Sequence, residues 1–449
     1  MIPPKPPARD GKVSLRRYVR LFREDILSAQ PAKLYRAWMA EFRTPFFRSF
    51  LANDPKLVRR VLQDDPKAFP KSARVGEGLR PLLGDSVFLT NGATWERQRR
   101  IIDPAFEGGR LRETYPAMWA ATDAAIARLH REEPQEIEIE AEASFAAADV
   151  IFRTLFSLPI EDETARAVFD QFKAYQRSQP IVNIAAFVPL PRWVPRLFSR
   201  RTRASATAIR ALIRQLTEAR MALIAAGEAP DDLATKIMTT RDPETGETFS
   251  SEEMVDQVAI FFLAGHETSA SALSWGLYIL AMFPEWQDKV AEEGARLSGP
   301  DFAQLSKLRI TRDVVREVLR LYPPVPMMVR ETTRLEELRG RKAAKGSQVV
   351  LSPWHLHRHT RLWDNPDGFD PARWHTENGK HCQREAYIPF SAGPRVCTGA
   401  GFAMAEGVLM LSRLCAAYRF DVVEGKVPQP VAHLTVRAKS GIYLTLRPR

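Results

Sequence analysis

Apolar residues return every three to four positions along most of the chain, the spacing of one helix face. This pattern predicts helices over 117–130, 146–157, 203–226, 252–283, 311–322 and 401–417. The longest has a clear start, because Ser250 and Glu253 stand three apart, as a capping box requires, before the apolar run. The fifth is stopped by Pro323 and Pro324. Shorter runs of strand-forming residues over 45–52, 347–353 and 441–448 read as strands near the two ends. A proline-rich joint, 187–198, punctuates the middle. The pattern describes a mainly α chain with a minor β part: a flexible Pro-rich arm, 1–12, followed by a single domain, 13–449.

Composition narrows the setting. With 449 residues, 45% of them hydrophobic, the chain can bury a large core. Its three cysteines, an odd and sparse set, argue against a disulfide scaffold and for a reducing, cytoplasmic compartment. The start, MIPPKPPARDGK, lacks a signal-type apolar core. Residues 255–283 are apolar at both ends, but Gly265-His266-Glu267-Thr268 interrupts them. A carboxylate is costly at bilayer depth, so this reads as a buried helix of a soluble protein without a stable membrane anchor. The basic, amphipathic stretch 15–26 reads as a first helix on the body, with contact to a membrane surface as the alternative. The net charge of +11 raises the question of nucleic acid, yet no recognised nucleic-acid motif is present. Of two local basic clusters, 95–100 and 196–203, the first suits an acidic protein partner as well as it suits phosphate.

Four segments carry candidate chemistry. In FSAGPRVCTGAGFAMAE (390–406) a lone cysteine, Cys397, sits among Gly393, Gly399 and Gly401 where a loop becomes a helix. Glycine permits positive φ and close approach, and a helix start favours a thiolate. The bland reading is a small buried hydrophobe. Zinc would need more close ligands than His381 and Cys382 supply, and a phosphate loop would need a Walker lysine or a strand before GxGxxG. In the long helix, Ala264 and Gly265 remove bulk, while Glu267 and Thr268 add an acid and a hydroxyl. That combination serves either a close helix crossing with a satisfied polar network, or a helix widened for a ligand with a proton source beside it. Glu317 and Arg320 share a helix face, and Arg373, in the proline-rich loop NPDGFDPARW, is a possible partner for Glu317.

An acid–alcohol pair in a long helix, then ExxR, a Pro-Arg loop and FxxGxRxCxG, in this order and spacing, resembles the cytochrome P-450 family of haem-thiolate monooxygenases. The resemblance extends over nearly the whole chain, including WERQR (95–99) and the closing SGIYLTLRP. It implies the fold of that family, with a long central helix over haem and a small β region on the N-terminal side. The cofactor implied is haem b, iron protoporphyrin IX, with the Cys397 thiolate as axial ligand and metal-binding residue. Phe390 would lie against the haem near the sulfur, with Gly393, Gly399, Ala264 and Gly265 close to the porphyrin. Trp95, Arg99, Arg330 and Arg395 would hold the propionates. Glu317, Arg320 and Arg373 correspond to a structural triad that locks the core.

On the distal side the resemblance makes Thr268 and Glu267 the pair that passes protons to dioxygen. The substrate pocket would be lined by Val87, Phe88, the joint near 175–195, Ala264, Val325, Met327, Met328 and Leu434. Their apolar character favours a lipophilic substrate such as a fatty acid, terpenoid or steroid-like molecule. Electrons would come from NAD(P)H through a reductase and a separate, acidic ferredoxin-type donor. That donor would dock near Arg97, Arg100 and Arg413, on a soluble, bacterial-type monomer. A peroxygenase of the same fold, or a non-catalytic haem sensor or carrier, is the alternative; the acid–alcohol pair weighs against both. Turnover with NADH and redox partners, compared with turnover on peroxide alone, separates the three.

Overall fold

The computed structural model of the chain describes residues 1–11, 13–43, 47–130, 132–178, 200–432 and 434–449. Each predicted helix is present and begins earlier than its apolar stripe: Gly108–Leu129, Ile139–Phe156, Arg200–Ala226, Ser251–Met282, Arg309–Leu321 and Ala400–Ala417. Caps explain part of the difference. The Glu138 carboxylate accepts from the backbone N–H groups of Glu140 and Ala141, so a helix starts there through a charged, alanine-rich turn whose one large apolar side chain is Ile139.

Ser251–Met282 is the central helix, with 32 residues and buried side chains on most of its circumference, as expected of a helix that is apolar all round. Its start is a complete capping box. The Ser250 N–H donates to Glu253 Oε2 at 2.8 Å, and the Glu253 N–H donates back to Ser250 Oγ at 3.3 Å. Ile139–Phe156 packs on one side and Ala400–Ala417 on another.

The β part lies beside the helices. Met39–Arg43, Arg48–Ala52, Gln348–Leu351 and Met328–Glu331 form a four-stranded sheet in that spatial order, with the middle pair parallel. In its register Arg330 stands opposite Val349. Gln135–Glu138, Tyr443–Pro448 and Tyr418–Val422 form a second, three-stranded sheet. A short antiparallel hairpin, Pro430–Ala432 with Val436–Ala438, is tied to the central helix, where Ser271 Oγ donates to the Val436 carbonyl at 2.6 Å.

Two expectations change or fall away here. The arm expected to be flexible lies on the body. Pro3 and Pro6 are buried, Lys5 pairs with Asp367 at 2.8 Å, and the Tyr322 hydroxyl donates to the Pro4 carbonyl. Its prolines reduce the entropy lost on docking. The joint 187–198 lies outside the described residues. Residues 15–26 give the helix Leu15–Glu24, in which the Tyr18 ring stacks on Phe42 with centroids 6.2 Å apart.

Candidate active site

The loop before Cys397 is a closed backbone structure. The Cys397 N–H donates to the Phe390 carbonyl at 2.9 Å and the Val396 N–H to the Gly393 carbonyl at 3.0 Å; the helix Ala400–Ala417 follows. Gly393 has φ +68°, and a Cβ there would stand 2.1 Å from the Leu62 carbonyl oxygen. Gly393 is therefore demanded by the neighbouring segment, whose backbone leaves no room for a Cβ. Gly399 faces the sulfur: a Cβ on it would meet only Cys397 Sγ, at 4.0 Å.

The three thiols differ sharply. Cys382 and Cys415 are buried, and burial pushes Cys415 up to about 12, so both behave as core hydrophobes. Cys397 is exposed, although protein atoms surround it closely enough for burial to push its thiol up. The Gly399 N–H and the Arg99 charge pull the other way. The thiol is thus both closely surrounded by protein atoms and open at its surface. Ala264 is likewise exposed in the middle of the otherwise buried central helix.

Around Ala264 the helix divides its work. A Cβ on Gly265 would fall 2.4 Å from Ile151 Cδ1, so this glycine serves the crossing with Ile139–Phe156. Of the two readings of this glycine, the close helix crossing is the one these contacts describe. His266 is fully buried, 2.7 Å from Ser144 Oγ, and burial pushes it down to about 3. Glu267 faces the hairpin: Thr435 Oγ1 donates to its Oε2 at 3.3 Å, and Arg437 Nη2 stands 3.5 Å from its Oε1. Arg437 is 41% exposed, so that carboxylate is linked to solvent. Thr268 Oγ1 donates to the Ala264 carbonyl at 2.6 Å, which leaves its lone pairs to accept.

A cationic cluster borders the loop. The Trp95 ring carries Arg395 at 5.1 Å, Lys71 at 5.7 Å and Arg99 at 5.8 Å from its centroid. Arg99 also donates to the Val396 carbonyl at 2.8 Å and pairs with Asp103 at 2.8 Å. Arg330 is buried beside them, and its Nε and that of Arg395 lack hydrogen-bond partners among the described residues. Neither these two nor Lys71 forms an ion pair with a carboxylate there. Burial, then the charges of Arg330, Arg395 and Arg99, push Lys71 down to about 6. Buried cations without acids are costly unless an anion arrives. Two propionates fit this requirement, and the chemistry of the donor set suits haem: one thiol with cations at the side. Lys71 escaped sequence reasoning, because a lysine in FPKSAR has no motif to mark it.

The other arginines in the basic cluster face away. Arg97 pairs with Glu253 at 2.7 Å, and Arg100 holds Asp242 through two contacts of 2.6 and 2.9 Å. Arg413 pairs with Asp123 and lies 3.9 Å from the Trp119 centroid. The chain's own acids thus engage all three arginines offered as a docking face.

Glu317, Arg320 and Arg373 do come together, all buried. Arg320 grips Glu317 through Nε at 2.9 Å and Nη2 at 2.8 Å, while Arg373 Nε donates to Glu317 Oε1 at 2.9 Å. The remaining guanidinium donors take carbonyls of His357, Pro366, Gly368, Asp364 and Asn365. The network thus fixes the loop that leads towards the Cys397 segment. Of the expected pocket residues, Phe88 and Leu434 are exposed and Val87, Val325, Met327 and Met328 half-buried. Most of the joint near 175–195 lies outside the described residues.

A helix-rich fold with one open thiol beside a cationic cluster suits a haem-thiolate protein, and similarity to known proteins agrees. Residues 35–446 match the Cytochrome P450 family model. The chain is 33% identical over 397 residues to cyclooctat-9-en-7-ol 5-monooxygenase of Streptomyces melanosporofaciens, covering 86% of this chain and 83% of that one. It is 28% identical to a cytokinin hydroxylase of Arabidopsis thaliana, covering 88% and 78%. Its fold matches the crystal structure of the cytochrome P450DA heme domain with a TM-score of 0.81 at 23% identity, over 100% of this chain and 98% of that one. The chain belongs to the cytochrome P450 family. It is a monooxygenase of that family, and its cofactor is haem b with an axial cysteine thiolate.

Proposed function

We propose that Cys397 is the axial ligand and that the enzyme inserts one oxygen atom from O2 into a lipophilic substrate of fatty-acid, terpenoid or steroid type. Electrons come from NAD(P)H through a separate ferredoxin-type partner. The observation that carries this reading is the open Cys397 thiol beside a cluster in which Arg330 and Arg395 have no carboxylate partner among the described residues. Haem, when bound, supplies dioxygen activation, which thiolate ligation favours. Trp95, Arg99, Arg330, Arg395 and Lys71 would hold its propionates, and Phe390 and Gly399 would bound the sulfur side. Thr268 Oγ1 holds a water, and Glu267, connected to solvent beside Arg437, replenishes its proton. A relative named for oxygenating cyclooctat-9-en-7-ol supports an apolar substrate, as do Met327 and Met328, whose side chains adapt in shape.

Carbon monoxide binding to the reduced protein tests the ligand. The Soret band should show the strong red shift of thiolate ligation and lose it in Cys397→His. Loss in Cys382→Ser or Cys415→Ser instead would refute the assignment. A screen of lipophilic compounds for Soret shifts in the oxidised protein tests the substrate class, and binding confined to polar compounds would overturn it.

A further inference from the structure

Among the described residues, the central helix and the helix that follows Cys397 are joined directly by one side-chain hydrogen bond. Ser269, which follows Thr268, donates its hydroxyl to Glu406 Oε2 at 2.5 Å. Glu406 belongs to Ala400–Ala417, the helix that follows Cys397, and is 1% exposed. Its Oε1 has no hydrogen-bond partner among the described residues. Thr268 and Ser274 return their hydroxyls to the carbonyls of Ala264 and Ala270, as such residues do within helices, whereas Ser269, like Ser271, reaches off the helix.

We propose that Glu406 is a positioning residue for Thr268: its carboxyl clasps the central helix through Ser269 and sets the height of Thr268 above Cys397. This rests on the proton-delivery role argued for Thr268. Elsewhere the same two helices meet through apolar contact, as where a Cβ on Gly276 would stand 3.1 Å from Leu411 Cδ1. Such packing is non-directional and tolerates sliding, whereas a hydrogen bond fixes register through its angle and length. A carboxyl in this position is costly beside a leucine of similar size, which suits a device for placement better than one for stability.

The carboxyl can stay there because it is neutral. Burial pushes Glu406 up to about 8, opposed by the Ser269 hydroxyl. Only burial and the Ser269 hydroxyl act on it, and several charged groups on the elements packed around it are engaged elsewhere. Glu267 turns to Arg437, Glu293 to the N–H groups of Ile310 and Thr311, Glu317 to Arg320, Asp123 to Arg413 and Asp313 to His375. Above pH 8 the acid ionises without a cation beside it, and the clasp must change.

The test uses the haem-loaded protein in wild-type form and as Ser269→Ala, Glu406→Leu, Glu406→Gln and Thr268→Ala. Imidazole, which binds at the open face of the haem beneath the central helix, is titrated by its Soret shift from pH 7 to 9. Hydrogen peroxide released per NADH is measured with a surrogate ferredoxin and reductase. Ser269→Ala and Glu406→Leu should each change imidazole affinity about five- to tenfold, the equilibrium equivalent of one buried hydrogen bond, and raise peroxide release. Glu406→Gln accepts from Ser269 and carries no proton to lose. It should match wild type at pH 7 and abolish the change that wild type shows above pH 8. Wild-type imidazole affinity and peroxide release in Ser269→Ala and Glu406→Leu, with only a lowered melting temperature, would reduce Glu406 to core packing. Should Glu406→Leu fail to hold haem, Ser269→Ala decides alone, because deleting one hydroxyl leaves the core shape intact. If Thr268→Ala releases no extra peroxide, the proton-delivery role fails, while the imidazole titration still judges the clasp.

Discussion

Thr268 makes one bond that matters to the helix and offers lone pairs that matter to the chemistry, and one pair of variants separates the two. In Thr268→Ala the bond to the Ala264 carbonyl is lost, at a stability cost of about 1 kcal/mol. If the hydroxyl also holds the proton-carrying water, product per NADH should collapse while haem content and substrate affinity persist. A loss of two to three orders of magnitude in the productive step would be roughly 2.7–4 kcal/mol of barrier. Thr268→Ser should restore most of the coupling. Full coupling in the alanine variant would leave the residue a helix-satisfying role only. Glu317 obeys a different logic, since its two arginines are fully buried around it. Removing the acid would strand two desolvated cations, the situation in which losing one partner of a buried pair costs about 3–5 kcal/mol.

At the scale of elements, helices with an apolar stripe were legible, because burial on one face imposes a period on the sequence. Their first turns were not, as Ile139–Phe156 illustrates: its opening residues after Ile139 are charged and alanine-rich, and a Glu138 cap starts it. Motif positions led to Cys397 and to the joined Glu317, Arg320 and Arg373. Spacing gave no access to Lys71, which reaches the cationic cluster only through the tertiary fold, nor to the acids that neutralise Arg97 and Arg100. Gly265 was visible as a glycine but not as the partner of Ile151, because a helix crossing is a property of two segments far apart in the chain. The crossing makes a prediction. Gly265→Ala gains about 1 kcal/mol of helix propensity, but overpacking against Ile151 costs about 1–3 kcal/mol, so a net loss near 1 kcal/mol is expected. Ile151→Val removes the obstructing methyl; alone it should cost about 0.5–1.5 kcal/mol, yet in the Gly265→Ala background it should be neutral or stabilising. Urea unfolding of the four proteins measures the coupling, and strict additivity would refute the contact.

For the whole molecule, buried ionisable groups set the pH of greatest stability. Burial pushes His266, His355 and His357 down to about 3 and His359 to about 4. Their depressed values give stability that is present above the ordinary 6.5 and lost as pH falls below it, when only the unfolded chain takes up protons. Glu140 and Glu406 act in reverse: burial raises them to about 7 and about 8, so their contribution fades as pH rises towards those values. Between pH 6.5 and 4.5 the unfolded chain binds four histidine protons against two carboxyl protons on the folded chain, a net of two. Below 4.5 the unfolded carboxyls also fill and the decline steepens. Melting temperatures of the haem-loaded enzyme should therefore peak near pH 6.5, fall gently on mild acidification and steeply below 4.5. A peak at pH 5, or a flat profile, would contradict this balance.

Lys71, Arg330 and Arg395 crowd together with no acid paired to them among the described residues, and this bears on how the enzyme comes into being. A newly made chain must hold two arginines together, with a lysine that they and burial drive towards its neutral form, until a dianionic porphyrin reaches them. Before that moment its fold is strained at the very place where haem has to enter. Porphyrin supply, rather than translation, would then set how much enzyme a cell keeps, with waiting chains passing to proteases. Pulse-labelled chains should disappear faster in haem-starved cells than in replete ones, and equal lifetimes would show that the charge crowding is harmless to the apoprotein.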